Sequence, residues 1–365
     1  MAEAKVISGD SHVQEPMDMY TARLPKEYLS RLPHFEEVEG ARYRVVEGRK
    51  PRRLDIAEAR ETEEDRVREF RDDQSGGRNI ERRLADLETD GIYGEIIYPN
   101  ETLGVHQSPD PAYQFAIAQT YNDWAIDLFR DHLHRFVPVA VIPITDIPAA
   151  VKEVERVGKL GYRAVKIPIA VRGRPYNQPE YEPLWQAVED AGLALNLHAF
   201  TDANDNYPED WGQEEGFGGA LNFMVMSMAA GQEPASMLIS SGMLERHPGI
   251  NLGVIECGAG WLAWLLYALD EQVEKKHMWI SPKLPMKPSE YFRRQGHVTF
   301  GDDPVALLTI PVLGDDCLVW GSDYPHDEGT FPHSQEVIEK TFRPVSEESK
   351  RKIVYGNAAR IYGFE

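Results

Sequence analysis

Eight short apolar runs recur along the chain: KVISGDSH, YGEIIYPN, FVPVAVIP, RAVKIPIA, LALNLHAF, NLGVIECG, HVTFGDD and CLVWGSDYPH. Each is nearly continuous in apolar character rather than alternating, the pattern of parallel strands covered on both faces. Between them stand helix-like segments, among them residues 111–130, 148–158, 180–192 and 259–276, punctuated by Gly or Pro at their ends. Eight alternating units predict an α/β fold of the closed (β/α)8 TIM-barrel kind, a single barrel spanning residues 1–365. No G-x-G-x-x-G follows the first run, so an open dinucleotide-binding sheet lacks support.

Two segments exceed ordinary loop length. Residues 33–79 are dense in charge and read as an insertion after the first strand, with residues 43–46 (YRVV) able to form a short hairpin strand. Residues 201–228 begin with polar residues and end in the apolar stretch FGGALNFMVMSMAA, either a helix packed on the barrel or at a subunit interface, or a pocket wall. Both follow strands at the C-terminal rim. They are expected over the barrel mouth or in a contact between copies, making a homodimer or higher homo-oligomer the expected state.

Composition narrows the function. Sixty Asp+Glu against 39 Lys+Arg give a formal net charge of −21, which repels phosphate backbones and argues against nucleic acid as partner. No apolar stretch approaches the roughly 20 residues of a membrane-spanning helix. Cys257 and Cys317 lie far apart inside strand-like runs, so a disulfide framework is not expected, and with no secretory signal in MAEAKVISGD a cytoplasmic location is.

In such a barrel the chemistry collects at the C-terminal ends of the strands. The first run ends in Asp10-Ser11-His12, the fifth in Leu197-His198, the sixth in Ile255-Glu256, and the eighth in Gly321-Ser322-Asp323-Tyr324-Pro325-His326. Asp10 and His12, two apart on one strand, point to the same face. One His or Asp at a strand end is ordinarily a cap or a hydrogen-bonded core residue. Four such ends on one rim would carry a heavy burial cost without a cation, and imidazole with carboxylate suits zinc, iron or manganese.

The segments GDSHVQEP, LNLHAF, GSDYPH and YGNAARIYGF resemble the amidohydrolase-2 branch of the amidohydrolase superfamily, relatives of aminocarboxymuconate-semialdehyde decarboxylase. The resemblance covers the chain from Gly9 to Phe364. It implies a distorted TIM barrel with one divalent metal, commonly zinc, held by Asp10, His12, His198 and Asp323. The archetypal decarboxylase has His-x-His where Asp10 and His12 stand. Its sixth strand ends in a His within a His-Gly-Gly run, where this chain reads Glu256-Cys257-Gly258. Glu256 thus becomes a further ligand or a base that steers water. On this reading the protein is a metal-dependent hydrolase, using a metal-activated water on a small carbonyl-containing substrate (ester, thioester, amide, lactone or C–C), with Asp323, Glu256 and His326 as catalytic groups. The alternative is a metal-dependent decarboxylase of an aromatic or unsaturated acid; a second is a barrel that keeps only the fold.

Binuclear members of the superfamily bridge two metals through a carboxylated Lys on the fourth strand, a role open to Lys166; otherwise that Lys pairs with an acid near the rim. Arg163 and Arg172 flank the same strand as candidate clamps for a substrate carboxylate. Tyr98, Trp211, Phe217 and Trp261 suit a flat or apolar substrate. His247, before the sixth strand, reads as structural.

Overall fold

A computed structural model describes residues 5–39, 41–47, 51–53, 76–171, 173–201, 219–326 and 328–364. All eight apolar runs are strands: β1 (Ile7–Val13), β2 (Gly94–Pro99), β3 (Phe136–Val141), β4 (Ala164–Pro168), β5 (Ala194–His198), β6 (Leu252–Ile255), β7 (Gly296–Phe300) and β8 (Leu318–Trp320). They pair in parallel in sequence order. The sheet closes where His12 N–H donates to Tyr324 O at 2.6 Å and Asp323 N–H to Asp10 O at 2.9 Å. Every strand residue is buried, one face in the lumen and the other under helices, which is why the runs do not alternate. The barrel is distorted: β1 carries a register shift between Ser8 and Ser11, and β8 has three residues.

Helices return the chain between strands, with local stops that the sequence supplies. In Ile147–Leu160 the Asp146 carboxylate accepts from Ala149 N–H at the N-terminus, and Gly161, at φ 96°, ends the helix in the left-handed region. The C-terminal helix Asn357–Tyr362 closes the N-terminal end of the barrel. Asn357 Nδ2 donates to Asp315 O and Leu318 O at 2.7 and 2.8 Å. Tyr362 and Phe364 then pack against Ile7, Ile96, Val139, Ala164 and Ile255 in the lumen. Gly94 admits that plug, since a Cβ there would stand 2.5 Å from the Phe364 ring.

The insertion after β1 opens with Met17–Arg23 and a 3-10 turn at Lys26–Arg31. An antiparallel sheet follows, in which Ala41–Val45, the strand read at residues 43–46, is central and pairs with His34–Val38 on one side and Arg52–Arg53 on the other. Arg31 grips the Glu47 carboxylate with two nitrogens and Asp110 Oδ2 with a third at 2.8 Å, and Ser108 Oγ donates to Glu47 at 2.7 Å. These contacts tie the hairpin to the loop after β2. The end of the second long segment is the helix Gly219–Ala229, with Leu221, Val225 and Met228 exposed. No described helix is long and apolar enough to cross a membrane. Both cysteines are free and buried.

Candidate metal centre

Strand order brings the ends of β1, β5, β6 and β8 to one rim. His12 Nε2 lies 3.6 Å from Asp10 Oδ1 and 3.3 Å from Asp323 Oδ1; His198 Nε2 lies 3.4 Å from Asp10 Oδ1. Asp10 Oδ1, His12 Nε2 and His198 Nε2 are buried without a hydrogen-bond partner. Three orphaned polar atoms facing one another are expensive. Ligand atoms about 2.1 Å from one ion stand roughly 3.0–3.4 Å from each other, so the spacing fits a single divalent cation. The imidazoles are turned for that role by their other nitrogens: His12 Nδ1 meets Pro99 O at 2.9 Å, and His198 Nδ1 meets Ala199 O at 3.0 Å.

The electrostatics agree. Burial, then the charge of Asp323, pushes the Asp10 carboxyl up to about 7. Burial brings His198 down to about 3, and burial with the charge of His326 lowers His12. A site that resists both a bare carboxylate and an imidazolium is relieved by a cation at its centre, which favours carboxylate and neutral imidazole together.

A second set borders it. His326 Nδ1 stands 3.0 Å from Asp323 Oδ1, its Nε2 3.3 Å from Asn100 Oδ1, and its ring stacks on His12 at 4.1 Å. Burial opposes ionisation of Asp323, yet the neighbouring His12 and His326 hold it below the usual carboxylate range. Burial works against a charged His326, but Asp323 raises it. Glu256 Oε2 lies 3.4 Å from His198 Nδ1, and burial, then the charges of Asp323 and Asp10, pushes its carboxyl well above the ordinary value. Glu256 and Asp323 both sit at φ 57°, a left-handed conformation that costs on the order of 1–3 kcal/mol and collects at functional sites. Thr299 Oγ1 accepts from Glu256 N–H at 2.8 Å and holds that turn. Glu256 does not cap the following segment; Asp303 does, accepting from Ala259 and Gly260 N–H at 3.0 Å each.

A cavity of about 350 Å³ opens beside His326 and Glu256. The loop after β2 (Asn100, Leu103, Val105), the aromatic pair Tyr20 and Tyr113, Phe200, Met224 and the insertion (Leu32, Pro33, Val46, Glu47) wall it. Both long segments therefore reach the mouth.

Not every expected residue is here. Arg163 precedes β4, so it lies at the opposite end of the barrel, where Nη1 donates to Gly363 O at 2.7 Å and the guanidinium covers Phe364. It is not a substrate clamp. Trp261 turns its indole N–H back to Cys257 O at 2.8 Å and does not line the cavity. Tyr98 is fully buried in the lumen, its ring 4.7 Å from that of His198, and does not line the cavity. Lys166 is also in the lumen and donates to Leu103 O at 3.2 Å, not to an acid. His247 bridges Glu182 and Glu189 before β6, a structural contact. Trp211, Phe217 and Arg172 lie outside the described residues. Sequence reasoning missed Asn100, although it stands at the C-terminal end of β2 where the rim rule would have placed it, and Glu328, two residues after His326.

Fold and site together define a barrel protein with a carboxylate–imidazole centre at its C-terminal rim. The family model described as amidohydrolase matches residues 99–364, and the chain belongs to that family. Gamma-resorcylate decarboxylase of Rhizobium sp. (strain MTP-10005) is 25% identical over 297 residues, 77% of this chain and 86% of the relative. The amidohydrolase map2389c of Mycobacterium avium subsp. paratuberculosis K-10 superposes with a TM-score of 0.78 at 20% identity over 100% of both chains. A dihydroxybenzoic acid decarboxylase of Polaromonas sp. JS666, solved with manganese and the inhibitor 2-nitroresorcinol, gives 0.65 at 18% identity over 98% of this chain and 96% of that one.

Proposed function

We propose that this protein is a metal-dependent decarboxylase that replaces the carboxylate of an aromatic or unsaturated acid with a proton. The observation that carries the reading is the trio of facing, unpartnered atoms on Asp10, His12 and His198 beside an aromatic-walled cavity of single-ring size. The decarboxylase relative supports it over the hydrolase expected from the sequence. Asp10, His12, His198 and Asp323 would hold the divalent ion; manganese in the Polaromonas structure supports that metal beside the zinc expected from the sequence. A bound cation there supplies positive charge that anchors and orients an anionic substrate.

The chain's own groups do the rest. Tyr20, Tyr113 and Phe200 hold a flat ring and exclude water. The Asp323–His326 pair holds a proton at the cavity edge and delivers it to the ring carbon as the bond to the carboxyl carbon breaks and CO2 leaves. Glu256, beside that pair at the same edge of the cavity, accepts a hydrogen bond from a ring hydroxyl or amino group. Hydrolysis remains the second reading because of Glu256, a carboxylate where the decarboxylases carry imidazole.

The test is a screen of Mn2+-loaded protein against hydroxy- and aminobenzoates and unsaturated acids alongside esters, amides and lactones, followed by mass. Loss of 44 mass units with matching CO2 release is expected. Addition of water to an ester, amide or lactone, with no CO2 from any acid, would sink the decarboxylase reading.

A further inference from the structure

The closing YGNAARIYGF motif is joined to the metal centre by a buried polar thread. His297 Nε2 lies 2.8 Å from Tyr362 Oη, Tyr362 Oη donates to Asn196 Oδ1 at 3.2 Å, and Asn196 Nδ2 donates to Tyr98 Oη at 2.9 Å. The Tyr98 ring then meets the His198 ring at 4.7 Å. All five residues are buried. Asn196 and His198 sit two apart on β5 and share its lumen face. The neighbouring strand leaves room for the thread: Gly253 pairs with Asn196, and a Cβ there would overlap Asn196 Oδ1 and stand 2.7 Å from His297 Nε2.

His198 needs this support. Its Nδ1 edge is fixed by Ala199 O, and its orientation is otherwise set by packing, with the rings of Tyr98 and His12 at 4.7 and 5.1 Å. The tilted Tyr98 ring is one wall of that packing, and its hydroxyl is held by Asn196, which Tyr362 orients. A buried amide that loses its donor has a reason to turn.

We propose that Tyr362, at the closed end of the barrel, is a positioning residue for the metal centre, fixing the His198 ring through Asn196 and Tyr98; this rests on the metal-binding reading of the site. The expected effect is that of an outer-shell partner, about tenfold in metal affinity, the low end of the usual 10–100-fold.

The test compares full-length wild type with Tyr362→Phe, which removes one hydroxyl, and Phe364→Leu, which loosens the same plug without touching the thread. Mn2+ affinity is read from free Mn2+ by electron paramagnetic resonance, and the His198 ring from its 15N–1H signals in metal-free protein. Tyr362→Phe should weaken Mn2+ binding about tenfold and shift the His198 signals; Phe364→Leu should lower the melting temperature and change neither. Asn196→Leu, which removes the hydrogen bonds to both Tyr98 and Tyr362 without adding charge, should act like Tyr362→Phe and stands in for it if that variant does not fold. Mn2+ affinity within twofold of wild type with unmoved His198 signals would overturn the proposal, as would an equal weakening in Phe364→Leu. If wild type itself binds no Mn2+, the metal reading falls and the His198 signals alone decide: a shift in Tyr362→Phe upholds the positioning role, and none overturns it.

Discussion

The lumen holds two polar layers one pleat apart, and they are built to opposite rules. In the upper layer Asp10, His12 and His198 turn three unpartnered atoms toward a common point. In the lower layer Asn196, Tyr98, Tyr362 and His297 exchange hydrogen bonds among themselves, and the one atom left open, His297 Nδ1, converges with no other. Both are buried. Burial alone therefore does not mark a site; unsatisfied convergence does, because a protein tolerates buried polar atoms when they are paired and leaves them open where something else completes them.

The sharpest way to break this contrast is to remove upper-layer atoms. His12→Ala and His198→Ala should each weaken Mn2+ binding by more than about 10²-fold, beyond the scale of outer-shell partners, and abolish turnover. Asp10→Asn should follow them. Metal content after dialysis measures it, and full retention in two of the three variants would show that the orphaned atoms are not ligands.

Glu256 tests the boundary of the upper layer, since it touches His198 from the cavity side. Glu256→Gln keeps the size, removes the charge and should cut turnover about 10²-fold while metal stays bound, the usual scale for losing one positioned hydrogen-bond partner of the reacting group. Glu256→His, which restores the imidazole of the decarboxylases, should recover part of the rate. Turnover of the Gln variant within threefold of wild type would reduce Glu256 to a structural neighbour.

Much of the upper layer was legible because the same signal marks strand and site: a continuous apolar run ending abruptly in Asp, His or Glu. His198 and Asp323 stand where the runs stop. Direction was the readable clue that Arg163 required, since a residue before a parallel strand lies at the opposite rim from its C-terminal end. Other features were not legible. Nothing local says that Leu32, Pro33, Val46 and Glu47 fold back over the mouth, because an insertion's position is set by distant partners such as Arg31 with Glu47 and Asp110. Trp261 looked like a cavity aromatic, but its N–H was claimed by the carbonyls of the turn it follows. Lys166 lies two residues short of the strand end, which puts it under the rim among lumen residues. The lower layer was invisible, since its hydrogen bonds join four separate elements.

The lower layer also makes a smaller, pH-dependent prediction. Burial, then the positive charge of Arg360, brings His297 down to about 3, against an ordinary value of 6.5. Between those values the unfolded chain binds a proton that the folded chain refuses, so stability falls as the pH drops below 6.5 and is fully present above it. One proton over the interval from pH 6.5 to 5 corresponds to about 2 kcal/mol, at about 1.4 kcal/mol per pH unit. His297→Gln cannot take up that proton. The variant should be less stable than wild type at pH 7, because a buried ring and its bond to Tyr362 are altered, yet lose about 2 kcal/mol less on going to pH 5. Urea unfolding of both metal-free proteins at the two pH values gives the comparison, and groups shared by the two, Asp10 among them, cancel in the difference. An equal acid loss in wild type and variant would mean that His297 takes its proton without unfolding the layer, and that the lower layer is less closed than its hydrogen bonds make it.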